Sequence, residues 1–199
     1  MWATDAHHRR QRCGRGATVA EFALCIVILV GVVFFVLEAA RALYLWNTLQ
    51  EVTRRAAHAA AASDFSNPGV MDGVRQSAIL RDGPGTLLLG APVNDAHVRI
   101  DYLSLARNAD GSLAPTPIAT GSLPACTAQA RINCTANPLG GSCIRLVRVR
   151  ICAPDSTECG AVPYQPLFPL IGITLTLPQA TTMVRAESLG FQPGSTLCP

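Results

Sequence analysis

The stretch Gly16–Leu37, GATVAEFALCIVILVGVVFFVL, decides the fold of this chain. It contains one charged residue, Glu21, and no proline. From Ala17 onward a helix of this length extends about 32 Å, because each helical residue adds about 1.5 Å. The hydrocarbon core of a bilayer is about 30 Å thick. The stretch is therefore predicted to be a helix that crosses a membrane.

The residues before this stretch are basic. Residues 1–16 hold four arginines and one aspartate, whereas the rest of the chain holds twelve arginines and twelve acidic residues. The formal charge of +3 therefore comes entirely from the leader. Positive flanks stay on the cytoplasmic side, which predicts a cytoplasmic N-terminus and an exported C-terminal part. Nucleic acid is not an expected partner, because its binding needs basic residues clustered on a folded surface.

A cleaved secretory signal peptide is the main alternative for the apolar stretch. Such a peptide has an apolar core of about 7–15 residues that ends at a small-residue cleavage site. Ala40-Arg41-Ala42 resembles such a site, but the charges of Glu38 and Arg41 crowd it, and the apolar stretch is too long. A retained anchor is therefore favoured.

The helix is predicted to continue beyond the membrane, from Thr18 to Ser63 in all. Residues 38–62 contain no glycine or proline and are rich in Ala, Leu, Glu and Arg, which are strong helix formers. Tyr44 and Trp46 lie where aromatic side chains concentrate at a membrane interface. Apolar residues also recur at helical spacing, at Leu45, Leu49, Val52, Ala56 and Ala60.

The rest of the chain predicts a small mixed domain. A short helix is expected over residues 69–81, a loop over 108–125 and an irregular segment over 126–143. Strands are predicted where apolar and polar residues alternate, at 97–105, 144–152 and 173–187. The predicted fold class is α+β, with a long N-terminal transmembrane helix packed on a small antiparallel β-sheet.

Four segments are expected along the chain. They are a leader peptide at 1–16, a transmembrane helix at 17–37, a continuation of that helix at 38–63 and an exported α+β domain at 64–199.

Six of the eight cysteines lie in the C-terminal part, without any CxxC spacing. They are Cys126, Cys134, Cys143, Cys152, Cys159 and Cys198. Cysteines in an exported domain usually form disulfides. The C-terminal loops are therefore predicted to carry disulfides. Six cysteines can pair in many ways, so the pairing stays open. Cys25 lies in the apolar stretch and is expected to act as a small apolar side chain.

No constellation of catalytic or cofactor-binding residues stands out. The sequence has no GxSxG, HExxH, Walker or GxGxxG motif. It also has no lysine, which excludes Schiff-base chemistry and a P-loop lysine. The expectation is a protein that is not an enzyme, with no catalytic residue, no metal and no cofactor.

The junction of leader and helix resembles the processing site of type IV pilins and pseudopilins. In that family a membrane aspartyl prepilin peptidase cuts after a glycine, and a glutamate occupies the fifth position of the mature chain. Gly16 and Ala17 match the two sides of the cut. Counted from Ala17, Glu21 is the fifth residue and Phe22 the sixth.

The continuation resembles the TadE-like branch, the minor pseudopilins of the tight-adherence (Tad/Flp) pilus. That branch shows a glutamate and an arginine after the apolar stretch and then a helix rich in small residues. The residues that fit are Glu38, Arg41, Ala42, Leu43, Tyr44, Asn47, Leu49 and Gln50. The resemblance covers about residues 14–62, and a proline-rich run at 167–170 before the last predicted strand is similar to the family's C-terminal part.

The resemblance implies a function in assembling a Tad/Flp-type pilus or a related secretion or adhesion filament. Its implied partners are the inner membrane, a prepilin peptidase, other pilin and pseudopilin subunits and the pilus assembly platform. The implied location is the bacterial inner membrane, crossed once, with a periplasmic C-terminal domain that becomes extracellular in a filament. The alternative is an uncleaved, signal-anchored periplasmic binding domain.

Physical chemistry gives Glu21 a role in this scheme. A carboxylate inside an apolar segment costs several kcal/mol unless it is paired. Cutting after Gly16 would free an α-amine at Ala17, one helical turn from Glu21. The positive charge of this amine could neutralise the Glu21 carboxylate of the same subunit or of a neighbouring subunit. Glu21 and Phe22 are therefore the expected assembly and register residues. The alternative for Glu21 is a side chain that reaches out to the membrane edge.

Overall fold

The computed structural model describes residues 5–154, 156, 158–167, 175–193 and 198, with the backbone alone for residues 5–17. Two compact units can be separated in the chain. The first comprises Met1–Leu43 with Pro166–Ile171, and the second comprises Tyr44–Gln165 with Gly172–Pro199. The functional division into leader, span, continuation and exported domain stays a prediction.

The N-terminal helix, α1, is continuous from Asp5 to Ala62. It ends one residue before the predicted Ser63 but begins well before the predicted Thr18, because the Arg- and Gln-containing leader continues the helix. Its most apolar window has a mean hydropathy of 2.9 and is not buried by the chain. Within the described part of the chain, α1 is the one helix long and apolar enough to cross a membrane.

The later part of α1 belongs to the second unit and supplies one side of its core. The apolar face predicted there is confirmed, since all five side chains are at most 2% exposed: Leu45, Leu49, Val52, Ala56 and Ala60. Small alanines on this face allow the sheet to approach closely. Thr53 is also fully buried, and its hydroxyl lies 2.9 Å from the hydroxyl of Thr182 in the sheet.

The sheet has four antiparallel strands in the order β2-β1-β3-β4. They are β1 Val98–Arg107, β2 Leu113–Pro117, β3 Leu146–Ile151 and β4 Thr181–Arg185. Tyr102 lies opposite Val147, and both are buried against the α1 side of the sheet. The alternation read in the sequence is confirmed in β3, where Val147, Val149 and Ile151 are buried and the arginines between them are half-buried on the opposite face.

The last predicted strand is confirmed only in its second half. β4 begins at Thr181, three residues after Pro178, which cannot donate to a strand ladder. Before that proline, Thr176 makes an isolated bridge to Pro163. Residues 173 and 174 lie outside the described residues.

The remaining elements are short helices and turns. Helix α2 spans Pro68–Ala78 and is capped by Asn67, whose side-chain oxygen accepts hydrogen bonds from the backbone N–H groups of Gly69 and Val70. The predicted 69–81 helix thus ends three residues early, and Leu80 has a positive φ of 60°. Two single-turn 3₁₀ helices lie at Asp95–His97 and Thr120–Ser122.

Two segments predicted to be irregular contain regular structure. The predicted loop over 108–125 contains β2, an edge strand that tolerates Pro115 and Pro117 because one of its sides needs no hydrogen-bond partner. The predicted irregular segment over 126–143 contains helix α3, Thr127–Ala136, whose Ala130 is 1% exposed.

Three disulfides complete the second unit: Cys126–Cys198, Cys134–Cys143 and Cys152–Cys159. All six disulfide candidates are thus bridged, and Cys25 is free and exposed on α1. The fold is α+β, as predicted.

Candidate functional site

The residues expected to direct processing and assembly lie in the first unit, along α1. The helix passes through Gly16 and Ala17 without a break. Glu21 lies four residues after Ala17, which corresponds to about one helical turn and about 6 Å of rise. Glu21 and Phe22 are both exposed, with Phe22 at 67%. The structure therefore leaves the carboxylate and the ring available to a partner outside the chain.

The part of the helix that follows Glu21 is apolar on every side, from Phe22 to Leu37. Exposed side chains point in all directions around the helix, among them Val19, Leu24, Val27, Ile28 and Leu29. A helix that is apolar all round needs an apolar environment, which a bilayer or a bundle of apolar helices provides. Glu21 is the one acidic or basic residue from Thr18 to Leu37. Its carboxylate therefore needs a positive partner in that environment.

The apolar segment ends at an ion pair. Arg41 Nη1 lies 3.7 Å from Glu38 Oε1, and the Arg41 side chain is only 8% exposed. The other carboxylate oxygen of Glu38 accepts a hydrogen bond of 3.1 Å from the backbone N–H of Leu167. The glutamate and arginine that carry the resemblance are thus in contact with each other, and Leu167 opens the proline-rich run. Residues 168–170 of that run lie outside the described residues.

A second charged cluster lies on the outer face of the sheet, where Asp101 is surrounded by three arginines. Asp101 Oδ2 accepts hydrogen bonds from Arg150 Nη2 at 2.6 Å and from Arg148 Nη2 at 3.1 Å, and Asp101 Oδ1 accepts one from Arg99 Nε at 3.3 Å. Partial burial opposes ionisation of Asp101, but the hydrogen bonds and charges of Arg150 and Arg148 outweigh it and lower its pKa. Strand pairing explains the cluster, since Asp101 lies opposite Arg148.

Replacing Asp101 with asparagine is expected to destabilise the second unit by about 1–3 kcal/mol, because hydrogen bonds to charged groups are lost. The three arginines would also repel each other without the carboxylate. Since the folded pKa is lowered, the stabilisation is present above the unfolded pKa of about 3.9 and is lost as the pH falls through the folded value. Urea unfolding of the full chain in detergent, followed by circular dichroism at neutral and acidic pH, measures both effects.

Asp82→Asn is the matched control for this prediction, because Asp82 is an exposed carboxylate in a turn. Equal unfolding midpoints for Asp101→Asn and the wild type at neutral pH would contradict the role given to the cluster.

The disulfides hold the elements around α3 and β3. Cys126 precedes α3 and bonds to Cys198 near the C-terminus, while Cys134 within α3 bonds to Cys143 before β3. Cys152 follows β3 and closes a short loop with Cys159. The six bridged cysteines therefore have a structural role. Among the described side chains no group of three or more His, Cys, Asp or Glu is placed to hold a metal ion.

Two features of the second unit were not predicted from the sequence. The first is the Asp101 cluster, for which the signal was an aspartate two residues from Arg99 on a predicted strand. The second is a set of exposed leucines after α2, Leu80, Leu88 and Leu89, of which the last two belong to the run Leu87–Leu89.

The chain was compared with known protein families, and its N-terminal segment matches a family model. Residues 16–58 match the family model described as TadE-like protein, and the matched segment begins at Gly16 and includes Glu21, Glu38 and Arg41. No curated protein and no solved structure matches the chain. The match confirms the predicted resemblance: the segment 16–58 is TadE-like, and this likeness associates the chain with Tad pilus systems and their membrane machinery.

Proposed function

We propose that this protein is a minor pseudopilin that is processed by a prepilin peptidase and takes part in assembling a Tad/Flp-type pilus or a related filament. The role is structural rather than catalytic. The observation that carries the proposal is the exposed carboxylate of Glu21, one helical turn after Ala17, in an apolar helix whose matched segment begins at Gly16.

Cleavage after Gly16 removes a charge barrier. In the uncut chain, four leader arginines hold the N-terminus on the cytoplasmic side. Each arginine at the centre of a bilayer costs about 2.5–3.5 kcal/mol on insertion scales, so four oppose extraction by on the order of 10 kcal/mol. The cut chain from Ala17 has equal numbers of arginines and acids. The subunit can therefore leave the membrane for a filament only after the cut.

The same cut supplies the partner for Glu21. The new α-amine at Ala17 is positive at neutral pH, because its ordinary pKa is about 7.7–8.0. In an apolar environment a pair between this amine and the Glu21 carboxylate of a neighbouring subunit is strongly attractive, because a low dielectric constant screens the two charges little. Such a pair sets the axial register of the two helices. Phe22, which is exposed beside Glu21, adds apolar contact area to the same interface.

The partners that follow are a prepilin peptidase, other pilin and pseudopilin subunits and the pilus assembly platform. The leader is cytoplasmic and the second unit is periplasmic until the subunit joins a filament. An uncleaved, signal-anchored periplasmic binding domain would need the same anchor but neither the cut nor the carboxylate.

Replacing Glu21 with alanine is expected to leave cleavage intact but to reduce recovery of partner pilins more than about tenfold, since tenfold corresponds to only 1.4 kcal/mol of lost interaction. The test is co-expression with the peptidase and the partner pilins, followed by affinity purification and quantitative mass spectrometry. Val19→Ala is the matched control, because Val19 is an exposed apolar residue two positions away. Full recovery of the pilins with Glu21→Ala would refute the register role.

A further inference from the structure

The strand β4 forms one edge of the sheet and offers backbone groups to the outside. Ile151 of β3 donates its N–H to the carbonyl oxygen of Ala180, the residue just before β4. Backbone direction alternates along an antiparallel strand, so every second residue after Ala180 points toward β3 and the others point away from it. The outward residues, all exposed, are Thr181, Met183 and Arg185. Within the described part of the chain, their outward N–H and C=O groups make no hydrogen bond, which leaves this edge open.

The opposite edge of the sheet, β2, is closed by proline. Ile118 donates its N–H to the carbonyl oxygen of Tyr102, so the outward residues of β2 are Leu113, Pro115 and Pro117. Proline has no N–H, so two of the three outward donors are missing there. Natural sheets use proline to keep an edge from pairing with another chain. β2 and β4 are both five residues long, and only β2 carries this protection.

The last residue of the open strand lines a cavity together with two other arginines. Arg185, Arg131 of α3 and Arg145 before β3 surround a space of about 480 Å³, the arginine cavity. The guanidinium carbon of Arg131 lies 4.8 Å from the centre of the Phe191 ring, and this cation–π contact holds the charge in place. Among the described side chains, none of the three arginines has a carboxylate at ion-pair distance.

The arginine cavity combines exposed positive charges with a buried apolar floor. Its lining holds three arginines and one glutamate, Glu187, which gives a net charge of +2. The buried lining residues are Ala130, Ile144 and Leu189. Cys134 also lines the cavity, and its disulfide to Cys143 connects α3 to the residues before β3. Guanidinium groups bind carboxylates through charge-assisted hydrogen bonds, so the cavity favours a ligand that carries a carboxylate.

An extended acidic peptide matches the open edge and the arginine cavity at the same time. As a fifth strand it pairs with the outward N–H and C=O groups of β4, and such strand addition is a common mode of peptide recognition. Side chains directly opposite each other on adjacent strands have β-carbons about 4.5–5.5 Å apart, so an Asp or Glu opposite Arg185 reaches its guanidinium. β4 itself, TTMVR, has no acidic residue, so the β4 strand of a second copy does not offer this pair.

We propose that the open edge of β4 binds an extended segment of a partner pilin or pseudopilin subunit as a fifth strand, and that an acidic side chain of this segment pairs with Arg185 in the arginine cavity. The class of partner rests on the proposed function, whereas the open edge and the charge of the cavity do not. All the residues involved belong to the second unit, so this contact is separate from the one proposed for Glu21 in the first unit.

The test is photo-crosslinking in cells that co-express the full chain, the prepilin peptidase and the partner pilins. The photoreactive residue p-benzoylphenylalanine replaces Met183, which is 43% exposed, and adducts are mapped by mass spectrometry. Leu113, 50% exposed, is the matched position on the edge that proline closes. Arg185→Glu tests the charge, and Arg107→Glu at the end of β1 is its matched control. Both arginines are exposed, so neither substitution is expected to disturb the fold.

The expected result is a crosslink from position 183 to a segment of a partner subunit that contains Asp or Glu, and no such crosslink from position 113. Arg185→Glu is expected to lower the yield at position 183 by about tenfold or more, because repulsion replaces a charge-assisted hydrogen bond, whereas Arg107→Glu leaves it unchanged.

Four results would overturn the proposal: no crosslink from position 183 while the pilins copurify with the wild-type chain, a crosslink to a second copy of this chain, equal yields at 183 and 113, or an unchanged yield with Arg185→Glu. If the pilins do not copurify with the wild-type chain, the proposed function is refuted, and the class of partner named here is refuted with it.

Discussion

Replacing Gly16 with leucine is expected to leave the leader attached to every molecule. In the proposed reaction the peptidase cuts the bond between Gly16 and Ala17, and its recognition of the residue before the cut depends on the absence of a side chain. The wild-type chain, co-expressed with an active prepilin peptidase, should lose residues 1–16. The measurement is the intact mass of the membrane-extracted protein, which separates the cut chain from the uncut chain directly.

Gly31→Leu is the matched control for this prediction. Gly31 lies in the same apolar helix, and a β-carbon at this position meets nothing within 4 Å, so the added side chain is tolerated within the chain. Gly31→Leu should be cut like the wild type. Complete cleavage of Gly16→Leu would rule out Gly16 as the recognition residue, and an uncut Gly31→Leu would show that the effect is not specific to the site.

Among the three disulfides, removal of Cys126–Cys198 is expected to lower the free energy of unfolding the most. This bridge joins residues 72 apart in sequence, whereas the other two join residues 9 and 7 apart. In the chain-entropy model a longer closed loop restricts the unfolded chain more, which gives about 4 kcal/mol for this bridge and about 2.5 kcal/mol for each short one. Domains are typically stable by only about 5–15 kcal/mol, so the loss is a substantial fraction.

The variants for this test are the paired serine substitutions Cys126→Ser with Cys198→Ser and Cys134→Ser with Cys143→Ser. Urea midpoints of the full chain in detergent, followed by circular dichroism, give the two differences in stability. The paired substitution at 134 and 143 serves as the control because it removes the same chemistry from a short loop. An equal or smaller loss for the 126 and 198 pair would contradict the loop-length explanation.

The elements that the sequence predicted correctly are those with a local periodic signal. The apolar stretch with its continuation predicted α1, and the alternation of valines with arginines predicted β3. α3 was missed because Cys134 within it, with Cys126 and Cys143 on either side, indicated an irregular, cysteine-bearing segment. β2 was missed because Pro115 and Pro117 are poor strand residues except at a sheet edge, and an edge is known only once the strand order is known.

The candidate site also has one part that the sequence predicted and one part that it did not. Gly16, Ala17, Glu21 and Phe22 are adjacent along one helix, so their spacing in the sequence already fixed their geometry. The Asp101 cluster could not be predicted from neighbouring residues in the sequence. Arg148 and Arg150 are 47 and 49 residues away from Asp101, and only strand pairing brings them into contact with it.

The proposed function depends on cleavage of the chain before Ala17. N-terminal sequencing of the protein purified from membranes that contain an active prepilin peptidase tests it most directly. If the proposed function is right, the N-terminus is Ala17. An N-terminus at Met1 or close to it would contradict cleavage and favour the uncleaved anchor, whereas one near Leu43 would indicate an ordinary secreted protein.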